Sequence, residues 1–315
     1  AVIPGTGIVE TGIGCKDGKI VVLAKDADLP EAASVYDAGG KYVIPGVIDP
    51  HCHLGIFTGD FAYETEHETR AALAGGVTTV GLFMGGTEPY LPQLPGLVDT
   101  LNAKASADTF LHLAMFTSQQ MDEMERCVKD HGVAEFKFYM TGIPGVFPNV
   151  TDAFILQGLR RMRGISDKLT ACIHCEDQSM VDAALAELVA GYGDSAGGDL
   201  CEWAKIGPAE AEELAVIRAC YLAHVSGTKI YIVHMSSEEG VIAAADHLQQ
   251  RRQRRAELGG VVDPPSTGAP RRIGDDHGVP GRRGKRIRDT HQRLGDVPRG
   301  HARTHRIEIG PHHTV

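Results

Sequence analysis

Residues Val43–Gly55 read VIPGVIDPHCHLG, an apolar run that ends in two histidines separated by one residue. Side chains alternate between the two faces of a β-strand, so His51 and His53 would project to the same side at the strand's carboxyl end. Imidazole is the commonest metal ligand, and the pair predicts half of a metal site. The alternative is that both are hydrogen-bonded structural residues, which is the commoner role of a histidine beside an apolar strand.

From residue 41 onward, strand-like and helix-like segments alternate. The strand-like segments are 43–49, 77–83, 110–116, 134–140, 169–174 and 228–234. The helix-like segments include 64–74, 121–130, 153–163, 178–189 and 209–224. This alternation predicts an α/β fold with parallel strands, either a doubly wound sheet or a (β/α) barrel. Polar residues follow several different strands and no G-x-G-x-x-G motif follows the first, which favours the barrel.

The first 40 residues contain short apolar runs separated by turn residues. Ile20–Leu23 follows the turn Lys16–Lys19, and Val35–Asp37 precedes two glycines. Runs of this kind favour a small antiparallel sheet.

Residues 251–315 differ in composition from the rest of the chain. They contain 14 Arg and one Lys against seven acids, a net charge of +8, whereas residues 1–250 have a net charge of −18. They contain no Phe, Tyr, Trp, Met or Cys. Such a segment buries too little apolar surface to offset its ordering entropy, which predicts an aberrant basic tail, out of frame or disordered. Its interspersed acids and missing aromatic residues argue against the alternative, a nucleic-acid-binding tail.

Length and composition limit the class of protein. A chain of 315 residues suffices for one large α/β domain and a small accessory domain. The sequence contains no apolar run of 18 residues and no signal-peptide pattern, which predicts a cytoplasmic protein with no membrane partner.

The seven cysteines are scattered and odd in number, which is typical of reduced thiols. Cys172 and Cys175 form a C-x-x-C pair across a strand end, which we do not interpret as a redox or zinc motif.

Three further segments place candidate ligands at strand ends. The segment EFKFYM contains Lys137 among apolar residues, where an unpaired ammonium group is costly unless it reaches water. The segment TACIHCED contains His174, and IYIVHMSS contains His234. Either histidine alone could be structural. Polar residues elsewhere are interpreted structurally: His112 is predicted to be a core or supporting histidine, and the acids of the 209–224 helix are predicted to face solvent.

These motifs resemble those of the cyclic amidohydrolases, a family of hydantoinases, dihydropyrimidinases, allantoinases and dihydroorotase relatives. The resemblance covers residues 15–247 and rests on the motifs D-P-H-x-H-L-G, G-G-V-T-T-V, F-K-x-[YF]-M, H-x-E and V-H-[LM]-S. It implies a TIM-type (β/α) barrel beside a small N-terminal β-sandwich. Residues 1–40 would belong to the sandwich and residues 41–250 to barrel strands one to six. With 251–315 aberrant, the barrel would be incomplete at its C-terminal end.

The resemblance also implies a metal site and a reaction. One divalent ion would bind His51 and His53, a second would bind His174 and His234, and Lys137, carboxylated by carbon dioxide, would bridge them. Imidazole and oxygen donors suit zinc, with manganese, nickel or cobalt as alternatives. The implied activity is hydrolysis of a C–N bond in a cyclic amide or ureide, of the hydantoin, dihydropyrimidine or allantoin type, by a hydroxide that bridges the ions. The family further implies a homodimer or homotetramer.

Two positions depart from the family pattern. The general-base Asp of the family has no convincing counterpart here, and the nearest candidate is Asp276, so this chain as written is expected to be inactive or poorly folded. The family's Tyr five residues after the carboxylated Lys is replaced by Gly142, which favours an allantoin-type substrate, while Tyr139 shares the Lys137 face. The alternative to an enzyme is a non-catalytic dihydropyrimidinase-related scaffold, although such proteins lose the metal ligands that this sequence keeps.

Overall fold

The computed structural model describes residues 1–56, 58–143, 145–192 and 200–257. The predicted candidate Asp276 and most of the predicted tail lie outside these residues. The last described helix, Glu238–Glu257, crosses the boundary that we predicted after residue 250. No helix in the described ranges is long and apolar enough to cross a membrane.

The N-terminal segment forms two separate antiparallel pairs of strands. Strand β1 (Val2–Ile3) pairs with β2 (Gly7–Ile8), and β3 (Gly12–Lys16) pairs with β4 (Lys19–Ala24). The β3–β4 turn contains Asp17 and Gly18, both with positive φ, as a two-residue hairpin loop requires. The prediction of an antiparallel sheet around this turn is therefore confirmed, while the packing of two sheets into a sandwich stays a prediction.

The prediction of a strand at Val35–Asp37 is wrong. Val35 and Tyr36 are 86% and 85% exposed and lie in irregular backbone. Without a neighbouring strand or an apolar surface to cover it, this run cannot offset the cost of ordering a strand.

Six parallel strands and their helices make up the rest of the described chain. The strands are β5 (Val47–Cys52), β6 (Val77–Met84), β7 (Asp108–Ala114), β8 (Glu135–Tyr139), β9 (Thr170–His174) and β10 (Lys229–Ile232). The helices are α1 (Phe61–Ala74), α2 (Leu94–Lys104), α3 (Ser118–His131), α4 (Asp152–Ile165), α5 (Gln178–Tyr192), α6 (Leu200–Trp203), α7 (Ala209–Ser226) and α8 (Glu238–Glu257).

The order of the strands distinguishes between the two predicted architectures. The sheet runs β5-β6-β7-β8-β9-β10, so every strand lies beside its predecessor. A doubly wound sheet reverses direction at a switch point, whereas a (β/α) barrel adds its strands in sequence. The described part of the sheet therefore has the arrangement of an incomplete barrel, as predicted.

The first parallel strand begins later than predicted. It starts at Val47, and the preceding Val43 and Ile44 are largely exposed. The carbonyl of Val43 accepts a hydrogen bond from the Val2 amide, so this segment is held by the N-terminal strands instead. Pro45 has no N–H group to donate to a sheet, which accounts for the delayed start.

The side chains of strand β8 alternate between the apolar layer under the helices and the other side of the sheet. Phe136 and Phe138 are fully buried in the apolar layer between the sheet and the helices, together with Ile155 and Leu159 of α4. Side chains alternate along a strand, so Lys137 points away from that layer, to the other side of the sheet. In a barrel that side is the interior.

Candidate metal centre

His51 and His53 lie together at the carboxyl end of β5. Their ring centroids are 5.3 Å apart, and both rings contact Phe83, at 4.3 Å and 5.7 Å respectively. The prediction that the two imidazoles project to the same side is confirmed. A carboxylate oxygen of Asp49 accepts a hydrogen bond from the His51 amide at 3.0 Å and so fixes the backbone at this point.

Lys137 is completely buried in β8. Its Nζ lies 4.8 Å from the centre of the Phe83 ring and 4.9 Å from that of Tyr139, and it makes no hydrogen bond within the described residues. Burial lowers the pKa of this amine to about 7. A substantial fraction is therefore neutral and nucleophilic near neutral pH. The interpretation of Lys137 as a side chain that reaches water is wrong.

His174 and His234 form a second pair of imidazoles. His174 Nδ1 and His234 Nε2 are 3.0 Å apart, and His174 Nε2 is 2.6 Å from a carboxylate oxygen of Glu176. His234 lies two residues beyond the end of β10, not on the strand as predicted, and adopts a φ of +38°. This left-handed backbone is uncommon for a residue other than glycine, and strain of this kind concentrates at functional sites.

The two pairs of histidines lie next to each other. The His51 and His234 ring centroids are 5.3 Å apart, so the rings follow one another in the order His53, His51, His234, His174. Burial, followed by the charge of Lys137, lowers the pKa of His51 to about 3. Burial, followed by His174 and Lys137, lowers the pKa of His234 to about 4. These imidazoles are neutral at physiological pH and keep the lone pairs that metal ions require.

The structure thus brings all five predicted ligand residues to one end of the sheet. Four imidazoles and one buried amine provide donors that could hold divalent cations. His174 Nδ1 and His234 Nε2 face each other, and a metal ion could bind these two nitrogen atoms in place of their mutual contact. The donor set fits a metal centre, and the buried amine fits carboxylation because a carbamate replaces an unpaired cation with an anion.

Tyr139 and Gly142 lie beside this centre. The Tyr139 ring is buried and stacks near His174, with centroids 5.8 Å apart, and burial raises the pKa of its hydroxyl to about 12. Gly142 follows the strand, where its amide donates to the Gln178 side chain at 2.8 Å. A Cβ at this position would lie 2.6 Å from the Asn149 amide nitrogen, so the observed loop has no room for a larger residue.

Glu212 has a structural role that its sequence context does not indicate. We predicted that the acids of this helix face solvent, but Glu212 of α7 is buried. Its carboxylate accepts hydrogen bonds from the amides of Ser236 and Ser237 at 2.9 Å and 2.8 Å, and from both hydroxyl groups. Burial works to raise the pKa of Glu212, but these hydrogen bonds outweigh it and lower the pKa. Glu212 therefore holds the loop that carries His234.

Replacing Glu212 with alanine is expected to lower the free energy of unfolding by about 2–3 kcal/mol, because two amides lose their acceptor. Urea denaturation measures the change. Glu210→Ala is the matched control, since Glu210 is exposed on the same helix and should change stability by less than about 0.5 kcal/mol. Equal effects of the two substitutions would contradict the assigned role of Glu212.

Several curated proteins are similar to this chain in sequence. A D-hydantoinase from Geobacillus stearothermophilus is 28% identical over 251 residues, which cover 78% of this chain and 51% of the relative. Dihydropyrimidinase 2 from Caenorhabditis briggsae is 32% identical over 238 residues, which cover 73% of this chain and 44% of the relative. An allantoinase from Escherichia coli O1:K1 is 30% identical over 255 residues, which cover 75% of this chain and 53% of the relative. The chain spans about half the length of the curated relatives it matches. No protein-family model matches the sequence.

Solved structures agree with these relatives. A crystal structure of a D-hydantoinase has a TM-score of 0.68 at 27% identity and covers 78% of this chain and 53% of its own. The structure of an L-hydantoinase (dihydropyrimidinase) from Arthrobacter aurescens has a TM-score of 0.69 at 24% identity, and the match covers 78% of this chain and 54% of that structure. At this identity it supports the fold alone.

Proposed function

Because the chain belongs, over the segment that it shares with these relatives, to the cyclic amidohydrolase family, we propose that it opens a cyclic amide or ureide ring by metal-dependent hydrolysis of a C–N bond. One observation carries the proposal: the amine of Lys137 is fully buried without a hydrogen-bond partner in the described residues, at the same end of the sheet as four imidazoles. A lysine in that position has no evident structural use, but as a carbamate it would supply two oxygen ligands.

Each residue has a proposed role at the metal centre. His51 and His53 would hold one divalent ion, His174 and His234 would hold the other, and carboxylated Lys137 would be shared between them. Zinc suits these nitrogen and oxygen donors, with manganese, nickel or cobalt as alternatives. When bound, such ions supply a Lewis acid for the ring carbonyl and lower the pKa of water towards neutrality.

The remaining residues orient the ligands and the substrate. Glu176 lies 2.6 Å from His174 Nε2, so its carboxylate can accept the Nε2 proton and orient the ring while Nδ1, the nitrogen that faces His234, would bind the metal. Proton transfer to the leaving nitrogen needs a general acid. Asp276, outside the described residues, is the candidate for this role. A chain without such a group would bind metal but turn over slowly, since general acid–base catalysis contributes about 10²–10⁴-fold.

The substrate class follows from the relatives and from one local feature. The relatives are named for hydantoin, dihydropyrimidine and allantoin. The tight backbone around Gly142 leaves no room for the tyrosine that hydantoinases and dihydropyrimidinases place there, which favours an allantoin-type ureide. We also propose a homodimer or homotetramer. The cysteines, which all lie in the described ranges, form no disulfide, which supports a reducing compartment such as the cytoplasm.

Hydrolysis of hydantoin, dihydrouracil, allantoin and dihydroorotate by the zinc- and bicarbonate-treated chain tests the proposal. We expect slow ring opening of at least one compound, fastest for allantoin, because the bound metal would still activate water although the family's Asp has no convincing counterpart in this chain. Ring opening should be lost when the metal is removed by a chelator. If the chain retains bound metal but opens none of the four rings, the proposed activity is wrong. If it retains less than about one ion per chain, the non-catalytic scaffold is favoured, because an intact ligand set should retain metal.

A further inference from the structure

A second group of potential metal ligands lies beside the first centre, on three neighbouring strands. His112 of β7, Glu135 of β8 and Cys172 of β9 each offer one ligand atom, and these atoms all lie within 4.8 Å of one another. His112 Nδ1 is 2.5 Å from Glu135 Oε2, and Cys172 Sγ is 3.9 Å from the same oxygen. The group is set by the strand register, which pairs His112 with Glu135.

The orientation of the His112 ring is fixed through its second nitrogen. Nε2 lies 3.1 Å from the carbonyl oxygen of Pro50, which can only accept, so Nε2 carries a proton and Nδ1 is the nitrogen that faces Glu135. Gly81 makes this contact possible, since a Cβ there would lie 2.7 Å from both Nε2 and the Pro50 oxygen. A histidine that donates one N–H to a backbone carbonyl and directs the other nitrogen into a site has the usual arrangement of a metal ligand.

His112 Nδ1 faces a carboxylate. Although the two atoms are close, Nδ1 makes no hydrogen bond of acceptable geometry within the described residues, and His112 is only 1% exposed. A buried polar atom without a hydrogen bond is unfavourable. A divalent cation would give Nδ1 a partner and would balance the two negative charges of a Glu135 carboxylate and a Cys172 thiolate.

We propose that His112 Nδ1, Glu135 Oε2 and Cys172 Sγ form a second metal site for a thiophilic divalent cation such as Zn²⁺, with water as the fourth ligand. One nitrogen, one oxygen and one sulfur ligand match the donors that tetrahedral zinc accepts. The site shares no ligand with the first centre, although Cys172 pairs with Lys137 in the β8–β9 register. Phe83 contacts both groups, stacking on His112 at 4.2 Å and lying 4.3 Å from His51.

Access and geometry are compatible with this site. The Glu135 side chain is 32% exposed and provides an entry path. Metal–ligand distances near 2.0–2.1 Å place neighbouring tetrahedral ligands about 3.3 Å apart, so the 2.5 Å contact must widen, which a rotation of Glu135 can supply. A bound metal ion would displace the proton of the Cys172 thiol, because a coordinating thiol is deprotonated.

Titration of the full chain with Co²⁺ tests the proposal independently of any hydrolytic activity. A thiolate bound to Co²⁺ gives a near-ultraviolet charge-transfer band, whereas the first centre has only nitrogen and oxygen donors. We expect this band in the native chain, its loss in Cys172→Ser, and its retention in Cys175→Ser, a second buried thiol on the same segment. In Glu135→Gln, the Co²⁺ affinity measured from the charge-transfer band should fall more than about tenfold, since even supporting residues of metal sites contribute 10–100-fold to metal affinity.

Two results would overturn the proposal. One is Co²⁺ bound to the native chain without a charge-transfer band, which would make His112 and Glu135 a polar pair only. The other is a band that persists in Cys172→Ser. Circular dichroism of each variant confirms folding, and the partly exposed Glu135 provides a variant that does not disturb the core.

Discussion

Replacing Lys137 with methionine is expected to lower the zinc content by two ions per chain and to reduce ring opening by more than about a thousandfold. The shared ligand is lost, and with it the metal-activated water whose pKa would otherwise approach 7. Methionine has a similar shape and no charge, so it removes an unpaired buried amine without opening a cavity. Elemental analysis and the hydrolysis assay measure the two effects.

Lys168→Met is the matched control, because Lys168 is exposed just before β9. It should retain both zinc and activity. The Co²⁺ charge-transfer band assigned to Cys172 should persist in Lys137→Met, because Lys137 is not among the three ligands proposed for that site. Full zinc retention by Lys137→Met would show that the histidines alone hold the metal and that Lys137 is not a ligand.

Replacing Gly81 with alanine is expected to lower the free energy of unfolding by about 3 kcal/mol. The new Cβ would lie 2.7 Å from His112 Nε2, from Phe110 Cζ and from the Pro50 carbonyl oxygen. A backbone atom cannot move aside as a flexible side chain can, so the strain adds to the loss of the His112–Pro50 hydrogen bond. Urea denaturation of the metal-free chain measures the change.

Gly85→Ala provides the control for this prediction. Gly85 follows the same strand and is exposed, and a Cβ at this position would have no described atom within 4 Å. Its substitution should change stability by less than about 0.5 kcal/mol. A Gly81→Ala variant as stable as Gly85→Ala would contradict the close packing of β5, β6 and β7 around His112.

Much of the barrel segment was predictable because its local signals agree. The strand predicted at 77–83 occupies Val77–Met84, and the helix predicted at 153–163 occupies Asp152–Ile165. In both, the period of apolar residues and the tertiary packing favour the same structure. Helix α2 (Leu94–Lys104) was missed because it contains Pro95 and Gly96, but proline is tolerated in the first turn of a helix.

Features that depend on strand register or on tertiary contacts were not predictable from one sequence. The four ligand segments were found because each motif is contiguous. Glu212 looks like its solvent-exposed neighbours in the sequence and becomes buried only because the Ser236–Ser237 loop lies over it. His112, Glu135 and Cys172 lie on three different strands, and only the register shows that they meet.

Carbon-13 NMR of the zinc-loaded chain after incubation with ¹³C-bicarbonate is a direct test of the carboxylation of Lys137. We predict one carbamate resonance in the native chain, at a stoichiometry of about one per chain, and its absence in Lys137→Met. A native chain that holds zinc but shows no carbamate resonance would contradict this prediction.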